Sequence, residues 1–95
     1  MMNDVAKELL VFKALSDPLR IRLLRAINEK DSVCVCELTK HICTLQSKLS
    51  YHLKMLLEAE LIDVFPNGKW NFYKIRSATF ERILSPEATK KILGK

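Results

Sequence analysis

The tetrapeptide Pro66-Asn67-Gly68-Lys69 constrains this chain most. It separates two runs rich in β-forming residues, Leu61–Phe65 and Trp70–Ile75. Asn-Gly between such runs is the strongest short hairpin signal. An isolated hairpin is marginal in water and needs a body to lie on. The other elements of the chain read as helices, so the hairpin must pack against helices. The expected class is mainly α with a small β-hairpin, and 95 residues make one domain.

The helices follow from apolar spacing and caps. Asn3–Leu15 carries Val5, Leu9 and Phe12 at helical intervals. Ser16-Asp17-Pro18 supplies a cap and a first-turn proline, starting a second helix near Pro18 that ends by Lys30. Leu19, Leu23, Leu24 and Ile27 form its apolar face, and Arg20, Arg22 and Arg25 are expected off that face. Glu37–Ile42 reads as a short third helix, Cys43-Thr44-Leu45 as a turn, and Gln46–Ala59 as a fourth helix with Leu49, Leu53, Leu56 and Leu57 inward. From Ser77 the chain is helical again, with Phe80, Ile83 and Leu84 inward and a break at Ser85-Pro86-Glu87. A short helix, tight turn and longer helix is the helix-turn-helix pattern, and a hairpin directly after it is a wing.

The net charge of +5 suits nucleic acid or another acidic surface. A domain this short is marginal alone, which favours a dimer. No apolar run is long enough to span a bilayer, and MMNDVAKELL lacks the basic-then-apolar pattern of a signal peptide. Three clustered cysteines do not suit a secreted disulfide framework, so a cytoplasmic protein with reduced thiols is expected. No acid–base pair, phosphate loop or metal-water constellation points to an enzyme.

Three stretches together resemble the ArsR/SmtB family of metal(loid)-responsive repressors. "FKALSDPLRIRLLRAI" looks like its second helix, "VCVCELTKHICTLQSKLSYHLKMLLEAELI" like its cysteine motif and DNA-reading helix, and "NGKWNFYKI" like its wing. The resemblance covers Phe12 to Ile75 and implies a homodimeric winged helix-turn-helix repressor. It places the helix-turn-helix at about 37–59, the wing at about 61–75, and dimerisation helices at about 3–15 and 77–93, all within one domain, 1–95. It also implies release of operator DNA when a thiophilic ion binds.

On that reading the fourth helix enters the major groove of double-stranded DNA. Gln46, Lys48 and Tyr51 are the candidates for base edges, since Gln pairs with adenine and Lys reaches guanine. Ser47, Ser50 and Lys54 are the candidates for phosphates, which position without specifying. For His52 two roles stand open, a phosphate contact or packing. Lys69 at the wing tip is expected to reach backbone phosphate or the minor groove, while Trp70, Phe72 and Tyr73 are expected to pack the wing on the body. A twofold dimer would read an inverted repeat with half-sites about one helical turn apart, or a multiple of it.

The metal candidates are Cys34 and Cys36. Thiolates select soft ions such as trivalent arsenic, Cd(II) and Zn(II), none of them needed for folding. The start of a helix favours a thiolate, and residues two apart in extended chain point the same way. The fullest form of the family motif has a third cysteine where this chain has Thr39. Cys43 lies roughly 10 Å along the helix axis from Cys36, too far to share an ion. It takes a position where the family commonly has glycine, so it is expected to carry strain if the backbone there needs a positive φ; Glu60 likewise replaces the usual glycine after the fourth helix. His41 is expected at the surface. The competing readings are a redox-switched or constitutive DNA-binding regulator, and a winged-helix protein-interaction module.

Overall fold

The computed structural model describes residues 3–94; Met1, Met2 and Lys95 of the expected domain lie outside the described residues. The order is α1 (Asn3–Leu15), α2 (Pro18–Asn28), β1 (Val33–Cys34), α3 (Val35–His41), α4 (Gln46–Glu58), β2 (Ile62–Asn67), β3 (Trp70–Ile75), α5 (Ser77–Ile83) and α6 (Pro86–Leu93). The Asp17 carboxylate starts α2 by accepting the N–H groups of Leu19 at 2.8 Å and Arg20 at 3.3 Å. Pro18 needs no such partner at the first helical position. Ser85 caps α6 in the same way, accepting from Ala88 N–H.

Leu23, Leu24 and Ile27 of α2, Leu38 of α3, Leu49, Leu53 and Leu56 of α4, and Phe80 of α5 form one core. Burying such side chains contributes about 1.5–3 kcal/mol each before entropy is counted. From α1 only Val11 and Ala14 are fully buried. Val5, Leu9 and Phe12, which stand at helical spacing, are 52–59% exposed. They still share one face, but it points away from the core of this chain.

Arg20 is corrected. It stands at i, relative to Leu23, Leu24 and Ile27 at i+3, i+4 and i+7, and is only 6% exposed. Its Nε donates to Ala14 C=O at 2.7 Å and its Nη2 to Lys13 C=O at 3.2 Å. These are carbonyls of the last turn of α1, the negative end of that helix.

The wing is larger than a hairpin. Its sheet runs β1-β3-β2, all antiparallel. Two residues of β1 pair with β3, Val33 with Tyr73 and Cys34 with Phe72. A two-residue strand carries no alternation, which is why periodicity misses it. The hairpin loop is Gly68-Lys69, because Asn67 already pairs with Trp70. Gly68 takes φ 69°, as the first loop position of a type II′ turn demands. Pro66 sits in β2, an edge strand, where a missing N–H is tolerated.

α4 ends in a Schellman pattern: Leu61 N–H donates to Leu56 C=O and Glu60 N–H to Leu57 C=O. Glu60 takes φ 60° there; among the described residues it is the one non-glycine with positive φ. The strain expected at Cys43 is therefore absent, and it falls instead on Glu60, the other replaced glycine. Glu60→Gly is expected to raise stability by about 1 kcal/mol, because a left-handed residue with a Cβ costs about that much. The shift in urea midpoint at fixed chain concentration checks it. A lower midpoint would show that the flexibility of glycine in the unfolded chain outweighs the relief.

Candidate nucleic-acid interface and thiol pair

Gln46, Ser47, Lys48, Ser50, Tyr51 and Lys54 of α4 are all exposed. They form its polar outer surface, while Leu49, Leu53 and Leu56 hold the opposite face in the core. Lys69 is exposed at the tip of the wing, on a separate element. The candidate DNA-contacting set is thus presented on two projections of one body.

His52 leaves that set. It is 5% exposed, and its Nδ1 lies 2.8 Å from Nη1 of Arg20. A guanidinium only donates, so Nδ1 must accept and the imidazole must be neutral. Burial pushes the imidazole pKa below its ordinary value; Arg20 and Lys48 push the same way, and Asp17 opposes them. Of the two roles open from sequence, packing is the one seen. Arg20 and His52 tie the last turn of α1 to α4 through α2.

The wing aromatics divide. Tyr73 is buried, and Phe72 is half-buried with its ring 6.0 Å from that of Phe65. Trp70 does not pack on the body: it is half exposed beside the turn. The N-terminus of α4 lacks the usual cap. Leu45 occupies the cap position with no side-chain hydrogen bond, and it is 73% exposed.

The cysteine stretch folds differently from its expected form. α3 begins at Val35, two residues early, so Cys34 is its cap residue and Cys36 lies in its first turn. The two are joined in a disulfide, with Cα atoms 5.3 Å apart, rather than held as free thiols. The convergence of the two side chains was expected; the bond between them was not. Cys34 is buried and Cys36 is partly exposed. Thr39 donates its hydroxyl to Cys36 C=O at 2.8 Å, one turn further along α3. Cys43 is a free, exposed thiol beyond the end of that helix, and His41 is exposed. Among the described residues, no three His, Cys, Asp or Glu side chains gather as a metal-holding group. As donors, Cys34 and Cys36 in reduced form suit a two-thiolate site for a soft ion, with remaining positions left to exogenous ligands.

A family model described as "Bacterial regulatory protein, arsR family" matches residues 17–64, half of the chain, from the α2 cap into the wing. The chain belongs to the ArsR family. An arsenical resistance operon repressor of Bacillus subtilis is 38% identical over 90% of this chain and 87% of that protein. The cadmium resistance regulator CadC of Listeria innocua is 32% identical over 70% of this chain and 56% of its own. The structure of HlyU from Vibrio cholerae, 23% identical, superposes over the whole of both chains with a TM-score of 0.75. That last likeness establishes the winged helix-turn-helix fold. Membership of the ArsR family makes the chain a DNA-binding transcriptional repressor and not an enzyme. No helix among the described residues is long and apolar enough to cross a membrane.

Three features of this ArsR-family chain escaped the sequence reading. Arg20 carried a signal that went unused, since its spacing places it on the leucine face. Leu45 was read only as part of a turn. The pairing of β1 with β3 left no signal in the sequence.

Proposed function

We propose that this chain works in the cytoplasm as a homodimeric repressor on an inverted-repeat operator, and that the state of Cys34 and Cys36 sets its affinity for DNA. The observation carrying this reading is the convergence of the two cysteines at the start of α3, one short helix before α4 and hydrogen-bonded into the wing. The primary effector is a thiophilic ion, such as trivalent arsenic, Cd(II) or Zn(II), held by the reduced pair. The disulfide favours a second reading, in which oxidation of the same pair is the signal. Either effector acts by preferring the form of the dimer that does not hold DNA. Gln46, Lys48 and Tyr51 read bases, while Ser47, Ser50, Lys54 and Lys69 hold phosphates.

The test is fluorescence anisotropy of the reduced protein on DNA from its own upstream region, with each ion titrated and an oxidant as a parallel arm. Release of wild type but not of Cys34→Ser/Cys36→Ser supports the sensor, and the releasing arm names the signal. Tight binding that neither ion nor oxidant weakens would leave a constitutive regulator. Weak, salt-insensitive DNA binding would favour a protein-interaction module, because phosphate contacts make true operator binding salt-dependent.

The exposed stripe of Val5, Leu9 and Phe12 supports the dimer, since contiguous exposed apolar faces mark interfaces. Leu9→Glu/Phe12→Glu is expected to convert the dimer to 11.0 kDa monomers in light scattering. Operator affinity should fall with it, as two half-sites are no longer held together. A variant that stays dimeric would move the interface to α5 and α6.

A further inference from the structure

We infer that Leu45 is a specificity-determining residue that reads the 5-methyl group of a thymine in each half-site. The inference rests on the reading of α4 as the helix in the major groove, and it adds a contact that the polar candidates do not provide.

Leu45 is the most exposed of the large apolar side chains among the described residues, at 73%. Its backbone is fixed, because Leu45 C=O accepts the first helical hydrogen bond of α4 from Leu49 N–H at 2.9 Å. An exposed leucine is ordinary by itself. Its place is not ordinary. The residue is the cap of α4, where Ser, Thr, Asp or Asn would accept a free N–H. Asp17 and Ser85 do this for α2 and α6. Leucine forgoes that hydrogen bond and contributes nothing to the core.

Its neighbours point to the partner. The other exposed apolar side chains lie on α1, on the wing, or at Tyr51 within α4. Leu45 stands next to Gln46, Ser47 and Lys48, the polar start of α4. Recognition helices touch base edges with their N-terminal residues. The one apolar group that base edges offer in the major groove is the thymine methyl. Gln46 beside it suits adenine, so the pair favours an A·T-rich position in each half-site.

The operator is first selected from a randomised duplex library with the full chain. Each thymine in it is then replaced by deoxyuridine, which lacks only the methyl. Replacement in one half-site is expected to weaken wild type roughly fourfold, the worth of one buried methyl, and in both half-sites roughly fifteenfold. Leu45→Ala and Leu45→Ser lose the contact in both subunits, so they should bind the intact operator about fifteenfold more weakly and be indifferent to either replacement. Leu45→Ser gains a cap and should melt no lower than wild type, so its lost affinity is not lost folding. If both variants feel the replacement as wild type does, or if no replacement matters to wild type, the inference fails while DNA binding stands. If no duplex is selected at all, the groove reading fails and takes the inference with it.

Discussion

His52→Ala is expected to lower the free energy of unfolding by about 3 kcal/mol, because it leaves a buried guanidinium N–H with no acceptor. Arg20 is 6% exposed and has no carboxylate within ion-pair distance among the described residues. Its charge is stabilised by the α1 carbonyls and by Nδ1 of His52. Removing one acceptor therefore leaves a desolvated donor on a charged group. Removing both partners, as in Arg20→Met/His52→Leu, should cost much less than the two single changes together. The double-mutant cycle in urea, at fixed chain concentration, reads that difference. Additive losses would show that the two side chains do not act as a pair.

The same contact gives a pH dependence. The folded His52 pKa is depressed, so near its ordinary value of 6.5 the unfolded chain binds the proton first. The contribution of His52 is complete above that value and is lost as pH falls from it toward the folded pKa. Asp17 faces the same groups. Burial alone would raise its pKa, but the N–H groups of Leu19 and Arg20, with the Arg20 charge, lower it overall. Its loss belongs to the carboxylate range and is separable. His52→Asn keeps an acceptor without a proton to gain. It should flatten the step below 6.5 and leave the acidic one. An unchanged step would place the titrating group elsewhere.

How much of this was legible depended on how local each signal was. The caps Asp17 and Ser85, the leucine spacing of α2 and α4, and the hairpin glycine act over a few residues, and the elements followed from them. Arg20 was missed because charge outweighed position in the reading. Its spacing with Leu23, Leu24 and Ile27 placed it inside, but its acceptor His52 lies 32 residues away. The α1 stripe was legible as an apolar face from its spacing, but periodicity finds a face and not its partner, and the pairing role came from the resemblance alone. The cysteines were read as neighbours with converging side chains, and they are. That Cys34 also belongs to the sheet depends on Phe72, far along the chain, and nothing near Cys34 announces it. Of the eight candidates for the DNA surface, seven are exposed, and His52, for which packing also stood open, is buried.

That sheet pairing shapes the largest expected functional effect. Trivalent arsenic, or an oxidant if the second reading holds, should weaken operator binding by about 5–150-fold, the usual range of coupling between two sites. The route is short. Cys34 pairs with Phe72 of β3, and β3 pairs with β2 to carry Lys69 at the tip. A change at the cysteines therefore alters the strand that holds the wing, without first passing through α4. Hydrogen exchange should show it: the amides of β3 should change protection on effector addition, and those in the middle of α4, around Leu53, should change less. Thr39→Cys adds a third thiol one turn after Cys36, where the Thr39 hydroxyl now bonds Cys36 C=O. It should lower the arsenic concentration that releases DNA, since trivalent arsenic prefers three thiolates, and should leave ion-free affinity unchanged. Cys34→Ser should abolish the response in both backgrounds. A response that survives Cys34→Ser, or protection changes confined to α4, would remove the wing from the route.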